Sequence, residues 1–210
     1  MNDALAWKDR LMGADFEEVI PSITWSRPNS LTKWRDVVVM NGDSKKGYTV
    51  SYDDINQQYL GDCYFLAGCA TTASKPRGIL DVFNQTPAFN GAGLLAVQVY
   101  IRGRPWTLVM DTNLPFYGGN LIFDNFGAKK SSWGPYLEKA WAKTNGNYEI
   151  IEGGLQKETF AFMTGCPTQI VPLSSSDTAK NVATAWSTLT AATKAGYLIG
   201  VDCLKDSTEV

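Results

Sequence analysis

One stretch determines how this 210-residue chain is expected to fold: Gln57-Gln58-Tyr59-Leu60-Gly61-Asp62-Cys63-Tyr64-Phe65-Leu66-Ala67-Gly68-Cys69-Ala70. Polar residues and a glycine open it and predict a turn. From Cys63 to Ala73 apolar residues lie on nearly every face of a helical projection, which predicts a buried helix. Asp62 stands just before this run and is typical of an N-cap residue, so Cys63 falls in the first helical turn.

A thiol in the first turn of a helix has unusual chemistry. The backbone N–H groups there have no partner within the helix, and the helix dipole is positive at that end. Both conditions favour the thiolate of Cys63, which is the nucleophilic form of cysteine. The same N–H groups can donate to an oxyanion. The alternative is that Cys63 is a small core residue, because free cysteines are among the most buried residues.

The stretch resembles the active-site segment of the calpain family of cysteine proteases. The matching positions are Gln57, Leu60, Gly61, Asp62, Cys63, Tyr64, Phe65, Leu66 and Ala67. Tyr64 stands where the family usually has tryptophan. Three further blocks are similar to family segments: Thr24–Pro28, Trp106–Pro115, and Leu137–Glu149 followed by Gly153-Gly154 and Thr164-Gly165. The four blocks occur in the family's order, which makes the resemblance specific.

The resemblance implies an α+β, papain-like cysteine proteinase fold, of which this chain is the first, nucleophile-helix subdomain. It implies a cysteine-type endopeptidase that hydrolyses peptide bonds through a thioester on Cys63. Gln57 would donate its side-chain amide to the oxyanion, a task that suits a neutral donor. Gly153 and Gly154 would line the substrate cleft, where paired glycines let a substrate backbone approach closely. Taken alone, these three residues are equally typical of turns.

The resemblance also bears on calcium. In the family, backbone carbonyls, an aspartate nine residues before the cysteine and a distant glutamate bind this ion. Asp54 occupies the aspartate position, but Ser131 occupies the glutamate position. Calcium takes six to eight oxygen ligands, so the loss of a carboxylate should weaken or abolish the site. The alternative is that Asp53-Asp54 forms a solvated turn.

The sequence contains no histidine. A papain-like mechanism needs an imidazole as general base and acid, and an asparagine to orient it. We therefore expect a fragment that carries the cysteine-bearing half of the core, is inactive alone, and needs a second subdomain with the histidine and asparagine. The rival hypotheses are a non-catalytic calpain-like binding or regulatory module, and an acyltransferase that borrows its base from another chain.

Composition limits the remaining function classes. A net charge of −2 gives no basis for binding nucleic acid or an anionic membrane. The N-terminus lacks an apolar signal core, and no apolar run is long enough to span a membrane. The four cysteines form no Cys-x-x-Cys pair, so zinc is not expected and the thiols should be reduced. We predict a cytoplasmic protein that acts on a protein or peptide substrate.

The predicted organisation is an N-terminal arm and lead-in segment at 1–35, a protease core subdomain at 36–205, and the start of a linker at 206–210. Further helices are predicted over 79–83, 133–145, 156–164 and 177–194, the last capped by Ser176 or Asp177. Strands are predicted over 37–40, before a turn at 41–43, and over 121–123 and 196–202. Residues 94–101 and 106–110 predict a hairpin.

Overall fold

The computed structural model describes residues 22–75, 77–127, 129–174 and 177–202. Helices and strands are mixed along the chain, which confirms the α+β class. The α-helices of these ranges are α1 (Cys63–Ala73), α2 (Gly78–Val82), α3 (Trp133–Asn145), α4 (Gln156–Thr164) and α5 (Ala179–Lys194). The strands are β1 (Thr24–Ser26), β2 (Asn41–Asp43), β3 (Gly47–Thr49), β4 (Leu94–Ile101), β5 (Arg104–Asp111), β6 (Leu114–Tyr117) and β7 (Asn120–Leu121).

Helix α1 is buried among α3, α4 and the main hydrophobic core, as its apolar sequence predicts. Phe65 of α1 stacks on Trp141 of α3 with a centroid separation of 5.3 Å, and Phe162 of α4 meets the same indole edge-on at 4.8 Å. Gly68 lets α4 approach closely, because a Cβ there would lie 2.6 Å from the Thr159 side chain. These contacts fix the direction of α1, and therefore the position of its first residue.

The strands form small antiparallel groups around this helical centre. β4 and β5 make the predicted hairpin, in which Leu94 pairs with Asp111 and Ile101 with Arg104. β1 pairs with β6, which also pairs with β7. β2 and β3 form a separate hairpin. The buried face of β4, formed by Leu95, Val97 and Val99, closes the core on one side.

The prediction for residues 37–43 was wrong. Val37, Val39 and Met40 are buried, but this segment makes only a single bridge, between Val38 and Ser131. The strand comes later, at Asn41–Asp43, where a turn was expected. The turn lies at 44–46 instead, because the Asp43 carboxylate accepts hydrogen bonds from the backbone N–H groups of both following lysines. Val37 and Val39 are thus buried although their segment is not paired as a strand in a β-sheet.

Other boundaries differ at the carboxyl end. Residues 197–202 form no strand; instead the Gln156 side chain holds the Val201 carbonyl and the Asp202 carboxylate. Thr178 caps α5, rather than Asp177, because its hydroxyl accepts the Asn181 N–H. The expected strand at 121–123 is reduced to Asn120–Leu121. The predictions for residues 1–21, for Ser176 and for the linker start at 206–210 concern positions outside the described residues.

Candidate active site

Cys63 is the first residue of α1, and its side chain is exposed. Cys69, further along the same helix, is fully buried, and that burial raises the pKa of its thiol well above the ordinary value. The interpretation as a small core residue therefore describes Cys69 and not Cys63. The chain presents one thiol to solvent at the start of a helix whose body is locked into the core.

The N–H groups at the start of α1 are not covered by a side chain. Asp62 precedes the helix and its carbonyl accepts hydrogen bonds from the N–H groups of Phe65 and Leu66. Asp62 thus occupies the N-cap position, as predicted, but its carboxylate makes no capping hydrogen bond. The carboxyl turns inward and is fully buried. The Phe65 and Leu66 N–H groups are therefore in use, whereas the Asp62 side chain leaves the N–H groups of Cys63 and Tyr64 uncapped.

The buried Asp62 carboxyl interacts electrostatically with the buried carboxyl of Glu138 on α3. No N–H or O–H group of the described residues donates to either Asp62 oxygen. Ionised carboxylates only accept and two buried like charges repel, so we infer that this pair holds a proton. Burial raises the pKa of Asp62 to about 7 and also raises the pKa of Glu138. Glu138 accepts in addition the Asp124 N–H, at 3.0 and 3.2 Å.

This acid pair makes stability depend on pH. The pKa of Asp62 rises from 3.8 in the unfolded chain to about 7 in the folded protein. The stability that this proton contributes is therefore fully present below the pKa of the unfolded state. This contribution is lost as pH increases through the pKa of the folded state. We expect the wild-type Tm to fall by roughly 5–10 °C between about pH 5 and about pH 8.

Glu138→Gln should flatten this dependence, because the amide gives Asp62 a permanent donor and keeps an acceptor for the Asp124 N–H. Thermal unfolding followed by circular dichroism across this pH range measures the slope. Glu158→Gln, at an exposed position of α4, is the matched control and should keep the wild-type slope. An unchanged slope in Glu138→Gln would show that the shared proton does not contribute.

Gln57 lies in the exposed loop that leads to α1. Its side-chain nitrogen donates to the Leu60 carbonyl at 2.7 Å, a bond that closes the loop on itself. A primary amide nitrogen carries two N–H groups, so this bond leaves one N–H for a ligand. The neighbouring Gln58 amide bonds instead to the side-chain and backbone oxygens of Asn56. The two glutamines therefore face different partners.

Gly153 and Gly154 are exposed and lie beside the segment that precedes Cys63. The Gly153 N–H donates to the Gly61 carbonyl at 2.9 Å, with Gly153 at a φ of +70° that favours glycine. In return the Gly61 N–H donates to the Glu152 carboxylate at 3.1 Å. The structure thus brings the paired glycines and the nucleophile segment together, a proximity that sequence separation alone does not reveal.

Asp54 is buried and engaged in structural hydrogen bonds. One of its carboxylate oxygens accepts the Ser51 N–H at 3.0 Å and the Trp133 indole N–H at 2.9 Å. Ser131 is also buried, and none of the described residues forms a hydrogen bond with its hydroxyl. Among the described residues no group of three or more cysteine, aspartate or glutamate side chains is placed to hold a metal ion. These side chains do not fit the acidic donor set that calcium favours.

Sequence reasoning missed the carboxylates beneath the site, Glu138 and Glu152. A signal existed for Glu138, which falls between Leu137 and Ala140 on the buried side of an amphipathic helix. A carboxylate at such a position predicts a buried, partnered acid. No local pattern marks Glu152.

Over the described part of the chain, no helix combines the length and apolar character that crossing a membrane requires.

Comparison with known proteins identifies the family of this chain. Residues 5–210 match the family described as calpain family cysteine protease. Human Calpain-12 is 32% identical over 165 residues, which cover 78% of this chain and 21% of the human protein. Mouse Calpain-12 is 30% identical over 210 residues, covering 99% and 27%. The maize calpain-type cysteine protease DEK1 is 30% identical over 179 residues, covering 84% and 8%. The chain spans about a quarter or less of the length of these relatives.

Proposed function

Because the chain belongs to the calpain family of cysteine proteases, we propose that it supplies the nucleophile half of a cysteine endopeptidase core, with Cys63 as the attacking thiol. The observation that carries the proposal is the exposed thiol at the uncapped start of a buried helix. A rigid helix that presents a reactive group to solvent at its positive end is suited to nucleophilic catalysis.

The proposed reaction has two steps. The Cys63 sulfur attacks the scissile carbonyl carbon, and the carbonyl π electrons move to oxygen to give an oxyanion. The Gln57 amide and the free N–H groups at the start of α1 stabilise this oxyanion. The C–N bond then breaks, the amine leaves with a proton, and a thioester remains. Water attacks the thioester through a second oxyanion, releasing the acid and restoring the thiol.

The protons in both steps need a general base and acid that this chain lacks, since it contains no histidine. We place that imidazole, and the asparagine that orients it, on a second subdomain outside the chain, as in a papain-like core. Helix α5 supports such a partner. Val182 and Trp186 are exposed along it, Trp186 by 72%, and Ala185 is the buried residue of the helix. Val182 and Trp186 lie four residues apart on one face of the helix, and neighbouring exposed apolar side chains are typical of a surface that another element covers.

A mixing experiment tests the proposal. This chain alone should not hydrolyse a fluorogenic peptide, whereas adding a histidine-bearing second subdomain of the family should produce turnover that requires Cys63. Hydrolysis by the chain alone would contradict the role of the missing imidazole. Thiol labelling without turnover in any mixture would favour the alternative, a non-catalytic calpain-like binding or regulatory module. The absence of histidine is the observation that favours this alternative.

The site around Asp54 leads us to propose that this half of the core works without calcium at that position, and that Asp54 serves structure. Its carboxylate joins the 3-10 turn Tyr52–Asp54 to the Trp133 indole on α3. The free thiols of Cys63, Cys69 and Cys166 suit a reducing compartment, which supports a cytoplasmic location.

Asp54→Asn is expected to lower the free energy of unfolding by about 1–3 kcal/mol, because its charge-assisted bonds to the Ser51 N–H and the buried Trp133 indole N–H weaken. Millimolar calcium should leave the wild-type Tm unchanged. The control is Asp53→Asn at the adjacent exposed position, which should cost less than about 0.5 kcal/mol. A calcium-dependent rise in the wild-type Tm that Asp54→Asn removes would establish a calcium site and contradict this assignment.

A further inference from the structure

The residue after the nucleophile, Tyr64, connects α1 to two other parts of the molecule. Its side chain is almost fully buried. Its hydroxyl accepts the indole N–H of Trp141 at 2.9 Å and donates to the carbonyl of Ile151 at 3.1 Å. Tyr64 therefore joins the start of the nucleophile helix to α3 and to the segment that leads into Gly153 and Gly154.

The same segment also packs directly on the tyrosine ring. A Cβ on Gly154 would lie 2.5 Å from the Tyr64 ring, so glycine is needed for this approach. Two hydrogen bonds link the segment to Gly61 on the other side of Cys63, one from Gly153 N–H and one to the Glu152 carboxylate. Residues 151–154 are thus held from both sides of the nucleophile. We call this set of contacts the 151–154 clamp.

The clamp has a rigid base. Trp141, which donates to the Tyr64 hydroxyl, is stacked on Phe65 with an interplanar angle of 7° and is packed edge-on by Phe162. Burial raises the pKa of Tyr64 to about 12, so its hydroxyl keeps its proton and remains a donor at every physiological pH. Removing this hydroxyl would leave a buried indole N–H and a carbonyl without their partner.

We propose that Tyr64 is a positioning residue that sets the distance between the Cys63 sulfur and the cleft wall at 151–154, so that a bound peptide meets the thiol in line. The inference rests on the proposed function, because it assumes that this wall holds substrate. Its physical basis is that small displacements of a substrate-holding surface are costly: an error of about 1 Å can reduce a rate about 100-fold.

Two electrophiles separate positioning from intrinsic reactivity. Iodoacetamide reacts with the thiol without using the wall, whereas a peptidyl chloromethyl ketone must bind along it before alkylation. In Tyr64→Phe we expect the peptidyl rate at Cys63 to fall about 10-fold or more, with the iodoacetamide rate within about twofold of wild type. Tyr136→Phe is the matched control, because it removes another buried hydroxyl, which donates to the Thr112 carbonyl. It should change neither rate at Cys63.

The outcomes separate a failure of the proposed function from a failure of the role proposed for Tyr64. If wild-type Cys63 shows no preference for the peptidyl reagent over iodoacetamide, the proposed function fails. If wild type shows the preference and folded Tyr64→Phe keeps it, the positioning role of Tyr64 is overturned. Alkylation of buried Cys69 reports unfolding in either variant. Should Tyr64→Phe unfold, Gly154→Ala tests the same contact, because its Cβ would push the wall away from the Tyr64 ring, and an unchanged preference there overturns the proposal.

Discussion

Replacing Cys63 with alanine is expected to abolish peptide hydrolysis by this chain combined with a histidine-bearing second subdomain, lowering kcat by roughly 10⁴-fold or more. Without sulfur no thioester forms, and the reaction would have to proceed by direct attack of water. The free N–H groups at the start of α1 and the Gln57 amide would remain, so only weak residual catalysis is expected. Turnover of a fluorogenic peptide measures the loss, and mass spectrometry of an acid-quenched reaction detects the thioester on wild-type Cys63.

The matched control is Cys166→Ala. Cys166 is also exposed, but it follows the end of α4 rather than opening a helix. This variant should keep wild-type activity and thioester formation. If Cys63→Ala keeps its activity and Cys166→Ala loses it, the nucleophile is Cys166 and the proposed role of Cys63 is wrong.

Gln57→Ala should have the second largest effect, a fall of about 10²–10³ in kcat with a small change in KM. The amide is expected to act on the charge that develops in the transition state, so the ground-state complex loses little. Because the substitution also removes the bond to the Leu60 carbonyl, the Tm of the variant is measured in parallel.

Gln57→Glu separates these two effects, because it preserves the size of the side chain but replaces the donor with an acceptor. It should be at least as slow as Gln57→Ala. Gln58→Ala, one residue along, serves as the control and should stay within about threefold of wild type, since exposed side chains with local bonds contribute little. Equal losses in the Gln57 and Gln58 variants would indicate a general disturbance of the loop.

Local sequence predicted the helices at the centre of the molecule well. The bounds 63–73, 133–145 and 156–164 agree with α1, α3 and α4, because continuous or amphipathic apolar patterns end there at residues that stop helices. Gly146 and Gly165 both adopt positive φ at these ends, as expected for C-terminal caps. The hairpin of β4 and β5 was also predicted from local sequence, since two apolar runs flank a Gly-containing turn.

Long-range partners explain what the sequence did not reveal. The 37–40 run has the composition of a strand, yet its carbonyl and N–H groups pair with residues 130–132, which no local signal indicates. Asp62 occupies the N-cap position of α1, but its carboxyl is buried instead of bonding to a first-turn N–H group. The Tyr64 hydroxyl finds Ile151 and Trp141 only after α1 and α3 have packed. In each case tertiary contacts overrode a local preference.

The candidate site also has features that local sequence predicted and features that it did not. The motif around Cys63 was sufficient to place the thiol at the first turn of a helix, because a polar turn and an apolar run meet at that residue. It was not sufficient to indicate how the loop before it is held. That support comes from carboxylates on distant segments, Asp124 on the Asn56 N–H and Glu152 on the Gly61 N–H. Such partners are defined by the fold and not by spacing.

The most direct test of the central claim is the rate at which iodoacetamide alkylates each thiol at about pH 6, followed by peptide mapping. Cys63 and Cys166 are both exposed, so they differ chiefly in the helix start that surrounds Cys63. The proposal predicts that Cys63 reacts about 10-fold faster than Cys166, because Cys63 lies in the first turn of α1 and Cys166 does not lie in a helix. Equal rates, or faster labelling of Cys166, would contradict the claim that the start of α1 activates a nucleophile.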